Sequence, residues 1–152
     1  MPDQLLQSAL LDHPKGSYDA ASARLPHVLT AEDNDDLRAV MRAILELHGF
    51  TVTACADAEE AEAVFFAQGS FDLLLTDLEM PGKSGAVLAE ILSRKKPSMP
   101  VLIISGANVS ERELLDYSSK GWSFMNKPFS IPHLIDQIRS LISGAVPVPF
   151  SG

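Results

Sequence analysis

Five short apolar or β-branched runs punctuate the chain, at residues 28–31, 50–54, 73–75, 101–104 and 123–126. The third and fourth, Leu73-Leu74-Leu75 and Val101-Leu102-Ile103-Ile104, do not alternate with polar residues. They are too short and too uniformly apolar for surface helices, so they read as strands buried on both faces of a parallel sheet. Residues 50–54 carry aromatic and β-branched side chains that suit a strand.

Between these runs the period changes. Leu37, Val40, Met41, Ile44 and Leu45 recur at helical spacing, as do Ala61, Val64 and Phe65, then Val87, Leu88, Ile91 and Leu92. Ile131, Leu134, Ile135, Ile138, Leu141 and Ile142 form the strongest stripe. The segment after Ser110 is polar, with only Leu114 and Leu115 standing out, so its helix is expected to be the least stable. Asn34 or Asp35, Asp57, Ser84, Ser110 and Ser130 stand where helix caps belong. Gly49, Gly69, Gly121 and Gly144 stand where the helices end. The result is five strands alternating with five helices, an α/β fold with a parallel sheet covered on both sides.

This pattern occupies residues 27–143. Residues 1–26 read as an extension and linker, in which Leu5, Leu6 and Leu10 could form one side of a short helix before Pro14, Gly16 and Ser17. Residues 144–152 read as a Pro-rich tail. Nine residues follow Ser143, so no DNA-binding domain is expected within this sequence; the domain either stands alone or is excised from a larger protein.

Composition narrows the function. The net charge of −8 disfavours a direct nucleic-acid binder, which needs a basic face. No apolar run approaches the ~20 residues of a membrane span, and the start lacks a signal-peptide pattern. The one cysteine, Cys55, allows no internal disulfide. A cytoplasmic protein without membrane contact is the expectation. His13, His27, His48 and His133 have no metal-ligand spacing.

Chemistry concentrates at the strand ends. The first strand runs into Glu32 and Asp33, the third into Asp77, the fourth into Ser105 and the fifth into Lys127. The second ends at Ala54-Cys55-Ala56, with nothing reactive. Open α/β sheets bind ligands at the carboxyl ends of their strands. Three carboxylates gathered there call for a cation, and hard oxygen donors with room for water suit Mg²⁺ better than zinc. A lysine and a hydroxyl beside them complete a site for a phosphoryl group. The central carboxylate could attack phosphorus and become an aspartyl phosphate.

At this point the chain resembles a response-regulator receiver domain of two-component signalling, over about residues 27–143. Ala31-Glu32-Asp33-Asn34 resembles the family's acidic pair, and Thr76-Asp77-Leu78-Glu79-Met80-Pro81-Gly82, with Gly85 following, its phosphoacceptor segment. Ser105-Gly106-Ala107 resembles the hydroxyl loop and Lys127-Pro128-Phe129 the lysine turn. The resemblance implies a flavodoxin-like doubly wound sheet of order 2-1-3-4-5. It implies phosphorylation of Asp77 by a histidine kinase or a histidine phosphotransfer protein. Mg²⁺ would be held by Glu32, Asp33, Asp77 and the backbone carbonyl of Glu79. Ser105 and Lys127 would contact phosphoryl oxygens, and the Lys127-Pro128 bond would be cis. Ser105 and Phe124 would form a switch that alters how the face made by helix four, strand five and helix five binds a downstream protein effector. Such a protein is not an enzyme apart from catalysing its own phosphoryl transfer and dephosphorylation.

Three features depart from the common pattern. Glu32 stands where Asp is more frequent, Phe124 lacks a tyrosine hydroxyl, and Trp122 stands where a small residue is commoner. A large aromatic at Trp122 would shape a partner surface or pack against helix four. Asp35 and Asp36 read as helix first-turn acids, Glu59, Glu60 and Glu62 as an exposed helix face, and the Glu79 side chain as solvated. Two other functions compete. One is a phosphohydrolase with Asp77 as nucleophile, although Glu79 stands where such enzymes carry a second Asp and no substrate cap is visible. The other is a receiver fold used only as a phosphorylation-independent binding module.

Overall fold

The computed structural model describes residues 24–144. The proposed leucine helix, the linker up to residue 23 and the tail from residue 145 lie outside the described residues. The strands are β1 (His27–Ala31), β2 (Thr51–Cys55), β3 (Leu73–Asp77), β4 (Val101–Ser105) and β5 (Ser123–Asn126). The helices are α1 (Asp35–Leu47), α2 (Ala58–Gln68), α3 (Gly85–Lys95), α4 (Glu111–Ser119) and α5 (Ile131–Ser143). All strand pairings are parallel, in the order β2-β1-β3-β4-β5. This is the expected flavodoxin-like doubly wound fold.

Every residue of β3 and β4 is buried, as their unbroken apolar runs predict. Side-chain alternation sorts the core into two layers. Val28, Leu73, Leu75, Leu102, Ile104 and Met125 face α1 and α5, meeting Met41, Leu45, Leu134, Ile135 and Ile138. Leu29, Ala31, Leu74, Val101, Ile103 and Phe124 face α2, α3 and α4, meeting Phe65, Leu88, Leu92 and Tyr117.

The helix starts follow the capping residues. The side chains of Asn34, Asp57, Ser84, Ser110 and Ser130 each accept a backbone N–H in the first turn. Asn34, not Asp35, therefore caps α1. Gly69 and Gly144 close α2 and α5 in the left-handed conformation.

The apolar stripes are narrower than their periodicity suggests. Val40, Val87 and Ile131 are exposed, Val40 at 51%. The first two lie on the flanks of their helices, where Met41 and Leu88 already fill the sheet contact. Ile131 is the first residue of α5, one turn ahead of the buried Leu134 and Ile135. In α4 the prominent Leu115 is 71% exposed, Leu114 is half-buried, and the residue driven inside is Tyr117, at 5%. Tyr117 packs on Trp122 and Phe124, with ring centroids 5.9 and 6.4 Å apart. Trp122 therefore packs against α4, the second of the two roles its sequence position allowed. A reciprocal capping box between Ser110 and Glu113 fixes the start of this helix.

With one buried anchor, α4 should detach before the sheet unfolds. Tyr117→Ala is expected to remove about 3 kcal/mol of local stability. Amide exchange of residues 111–119 should accelerate while β3 and β4 stay protected. Uniform acceleration across the sheet would show that α4 is not a separate unit.

Candidate functional site

The parallel register brings the strand ends to one rim. Ala31 pairs with Thr76, Asp77 with Ile104 and Ser105 with Asn126. Alternation then decides which way each side chain leaves the sheet. Glu32, Asp77 and Lys127 continue the α1/α5 side set by Val28, Leu75 and Met125. Ser105 continues the opposite side set by Val101 and Ile103. Asp77 is the last residue of the central strand, between the end of β1 that carries Glu32 and the end of β4 that carries Ser105.

Glu32 is 2% exposed and Asp77 is 6% exposed, both unusual for carboxylates. Lys127 lies between them, with Nζ 3.2 Å from Glu32 Oε1 and 3.3 Å from Asp77 Oδ1. The second contact has the length of an ion pair but not the direction of a hydrogen bond, so the buried Asp77 Oδ1 accepts none. Burial pushes the Asp77 carboxyl up to about 6, and the charges of Glu32 and, more weakly, Glu79 push the same way; Lys127 pulls it down. Burial alone would lower the Lys127 ammonium, but Asp77 and Glu32 outweigh it and hold it above its ordinary value.

Glu32 is fixed from several directions. Its second carboxylate oxygen accepts the Asn34 N–H at 3.1 Å. Its carbonyl accepts from the Arg38 guanidinium at 3.0 Å, and its own N–H donates to the Cys55 carbonyl. Cys55 itself is buried, and burial pushes its thiol up to about 12, which leaves it unreactive at neutral pH.

Oxygens of Glu32, Asp33 and Asp77 lie within 4.8 Å of one another. All three donors are hard carboxylates, Asp33 is exposed, and Asp77 brings an oxygen with no hydrogen-bond donor. That set fits a Mg²⁺-sized cation that keeps part of its water shell.

Beyond Asp77 the chain turns sharply. The Leu78 N–H donates to the Ile104 carbonyl at 2.8 Å, and the Leu78 carbonyl accepts from Gly85 N–H at 2.9 Å. A Cβ on Gly85 would lie far inside contact distance of the Asp77 carbonyl oxygen, and 2.9 Å from both the Asp77 carbonyl carbon and Thr76 Oγ1. The loop is tied outward by Lys83, whose Nζ meets Glu62 Oε2 of α2 at 2.8 Å. Glu62 is thus an anchor, and Glu60 accepts the Ala56 N–H, so the acids of α2 are not merely a solvated face.

The Glu79 side chain also departs from expectation. It does not simply extend into water: the Ser105 hydroxyl lies 2.7 Å from its Oε2 and 2.9 Å from its Oε1 and donates to this carboxylate. The order Asp77-Leu78-Glu79 held a clue, since a residue two beyond a strand-terminal Asp can turn back over the same rim. Nothing in the sequence identified Ser105 as its partner. On the same side a cleft of about 720 Å³ is lined by Asp33, Leu78, Glu79, Met80, Glu113 and Tyr117. Phe124 is buried against Tyr117, and the Lys127-Pro128 peptide is cis.

A family model for the response regulator receiver domain matches residues 28–139, and the chain belongs to that family. Phosphorylation and Mg²⁺ binding are general features of its members. The chain is 31% identical over 114 residues to the C4-dicarboxylate transport transcriptional regulatory protein DctD of Rhizobium meliloti, covering 75% of this chain and 25% of that protein. It is 32% identical over 118 residues to the transcriptional activator protein PfeR of Pseudomonas aeruginosa, covering 77% of this chain and 38% of that one. The chain thus spans well under half the length of these two relatives. A receiver-domain structure from Clostridium thermocellum shares the fold, with a TM-score of 0.74, 23% identity, and 79% and 96% of the two chains covered. No helix among the described residues is long and apolar enough to cross a membrane.

Two outcomes follow from this geometry. Gly85→Ala forces backbone apart at the Asp77 turn and should lower stability by about 3 kcal/mol in denaturant unfolding; an unchanged midpoint would contradict the close approach. The raised Asp77 pKa means that folding favours its protonated form. That stabilisation is complete below the ordinary value of 3.8 and lost as pH rises through about 6. In metal-free protein at pH 7.5, Asp77→Asn should therefore melt higher than wild type, by on the order of 4 °C. The gain should shrink below pH 6 and vanish near pH 4.

Proposed function

We propose that the domain accepts a phosphoryl group on Asp77 from a histidine kinase or a histidine phosphotransfer protein. Its α4-β5-α5 face then changes affinity for a downstream protein. The observation that carries this reading is Asp77 itself: a buried carboxylate at the central strand end, with an oxygen lacking a hydrogen-bond donor and the Lys127 ammonium 3.3 Å away.

In the transfer, an Asp77 carboxylate oxygen attacks phosphorus. The bond from phosphorus to the donor's imidazole nitrogen breaks, its electron pair stays on that nitrogen, and Asp77 becomes a mixed acyl phosphate. Glu32, Asp33, Asp77 and the Glu79 backbone carbonyl would hold Mg²⁺, which supplies positive charge against the transferring oxygens. Lys127 supplies the fixed charge of the protein. Its ion pair with Asp77 is available to a phosphoryl oxygen once the Asp77 oxygen has reacted. Ser105 supplies a neutral donor from the other side of the sheet. The burial of Glu32, Asp77 and Ser105 would limit access of water to the new acyl phosphate.

The response would leave through Ser105 and Phe124. Phe124 packs on Tyr117, the single buried side chain of α4, so a change of the Ser105 loop and of Phe124 reaches that helix directly. Residues 27–143 would carry this activity, with 1–26 as an extension and 144–152 as a tail. The net charge of −8 favours a protein partner over nucleic acid, and a cytoplasmic setting suits the chemistry.

Acetyl phosphate with Mg²⁺ should label the wild-type protein on Asp77 and leave Asp77→Asn unlabelled. Lys127→Ala should label at least about tenfold more slowly, as expected for loss of a charge beside the transferring group. A wild type that stays unlabelled with donor, metal and a phosphotransfer protein present would sink the proposal. Steady turnover of a phosphomonoester would point to the hydrolase alternative.

A further inference from the structure

We propose that the Glu79 carboxylate is a latch on Ser105: it holds the Ser105 hydroxyl before phosphorylation and must be displaced for a phosphoryl oxygen to take its place. This rests on the phosphoacceptor reading and names a residue that regulates the same site.

Ser105 has one hydroxyl proton, and the Glu79 carboxylate is its acceptor, at 2.7 and 2.9 Å. The hydroxyl oxygen in turn accepts the Ala107 N–H at 3.1 Å. Ser105 is fully buried, so its hydroxyl has no bulk water to turn to. A phosphoryl oxygen and a carboxylate oxygen are both acceptors. The single proton cannot serve both, so the two groups compete for one donor.

Glu79 is able to give way. It is exposed and belongs to the loop after β3, while Ser105 is locked in β4. The cleft beside it, bounded by Met80 and Tyr117, gives the side chain room to leave. The carboxylate also stands where an incoming dianion would be repelled. Its hold on Ser105 links the loop after β3 to the loop that leads into α4 through Ala107. Breaking that link frees both loops in one event. Glu79 is therefore a positioning residue that acts through Ser105, in addition to any role of its backbone carbonyl.

Charge and reach can be separated by substitution. Glu79→Asp keeps the charge but shortens the arm. Glu79→Gln removes the charge but keeps an acceptor for the hydroxyl. Glu79→Ala removes both. Labelling rates with acetyl phosphate and Mg²⁺ should rise about tenfold in the Asp and Ala variants, the size of one charged hydrogen bond. The Gln variant should rise less. In a Ser105→Ala background, where labelling is slower throughout, Glu79→Asp should give no further gain.

A second readout needs neither metal nor phosphate. In urea unfolding of the metal-free protein, Ser105→Ala and Glu79→Asp should be non-additive, because each removes the same bond. Additive midpoints, or an Asp variant that labels at the wild-type rate while Gln labels faster, would overturn the latch and leave simple charge repulsion. Those results would leave labelling of Asp77 intact. A wild type that never labels would instead remove the phosphoacceptor reading, and the latch with it.

Discussion

The structure depends on holding Glu32 and Asp77 side by side under cover. Two unit charges at such distances interact by about 4 kcal/mol at an effective dielectric near 20, and burial strengthens the effect. Lys127 is the side-chain cation paired with both among the described residues, 3.2 Å from one carboxylate and 3.3 Å from the other. A flexible loop would let the two acids swing apart. Here both extend from adjacent strands, with Ala31 and Thr76 in register, so their separation is set by the sheet. The fully buried β3 and β4 are what keep that sheet rigid. The core thus works against electrostatics at its own edge.

That arrangement explains why the turn after Asp77 tolerates so little change. The backbone must leave β3, keep the Leu78 N–H on Ile104, and start α3 within a few residues. Gly85 lets α3 begin almost on top of the Asp77 carbonyl. A Cβ there would push the helix away and move the one carboxylate whose placement matters most. The Lys83 to Glu62 pair and the Ser84 cap hold the outer side of the same turn.

The fold was legible in the sequence because its signals are local. Leu73-Leu74-Leu75 and Val101 to Ile104 can hardly be anything but buried strands, and each helix carries its own capping side chain. The rim was legible for the same reason: alternation and strand ends place Glu32, Asp77, Ser105 and Lys127 without any tertiary detail. What the sequence hid depends on contacts between distant elements. Tyr117 looked like part of a polar helix until Trp122 and Phe124 were seen beneath it. Leu115 stood out in the sequence but is exposed, because α4 turns Tyr117 and Leu114 toward the core instead. Glu79 looked solvated because no local pattern says that Ser105, 26 positions away, is within reach.

Charge balance joins these observations. Glu32, Asp33, Asp77 and Glu79 bring four carboxylates to one rim. Lys127 is the cation between two of them, and the Arg38 guanidinium is turned to the Glu32 carbonyl and Asp35. The rim is thus short of positive charge, and Asp77 registers this as a carboxyl pushed up to about 6. A cation bound there would relieve the shortage at Glu32, Asp33 and Asp77 but leave the Glu79 carboxylate facing Ser105. An arriving phosphoryl dianion would meet the opposite situation: Lys127 and the cation would match its charge, while the Ser105 hydroxyl is bonded to Glu79. On the proposed reading the two halves of the site would respond to different events, the acidic half to metal and the Ser105 half to phosphate, with Asp77 as the residue common to both.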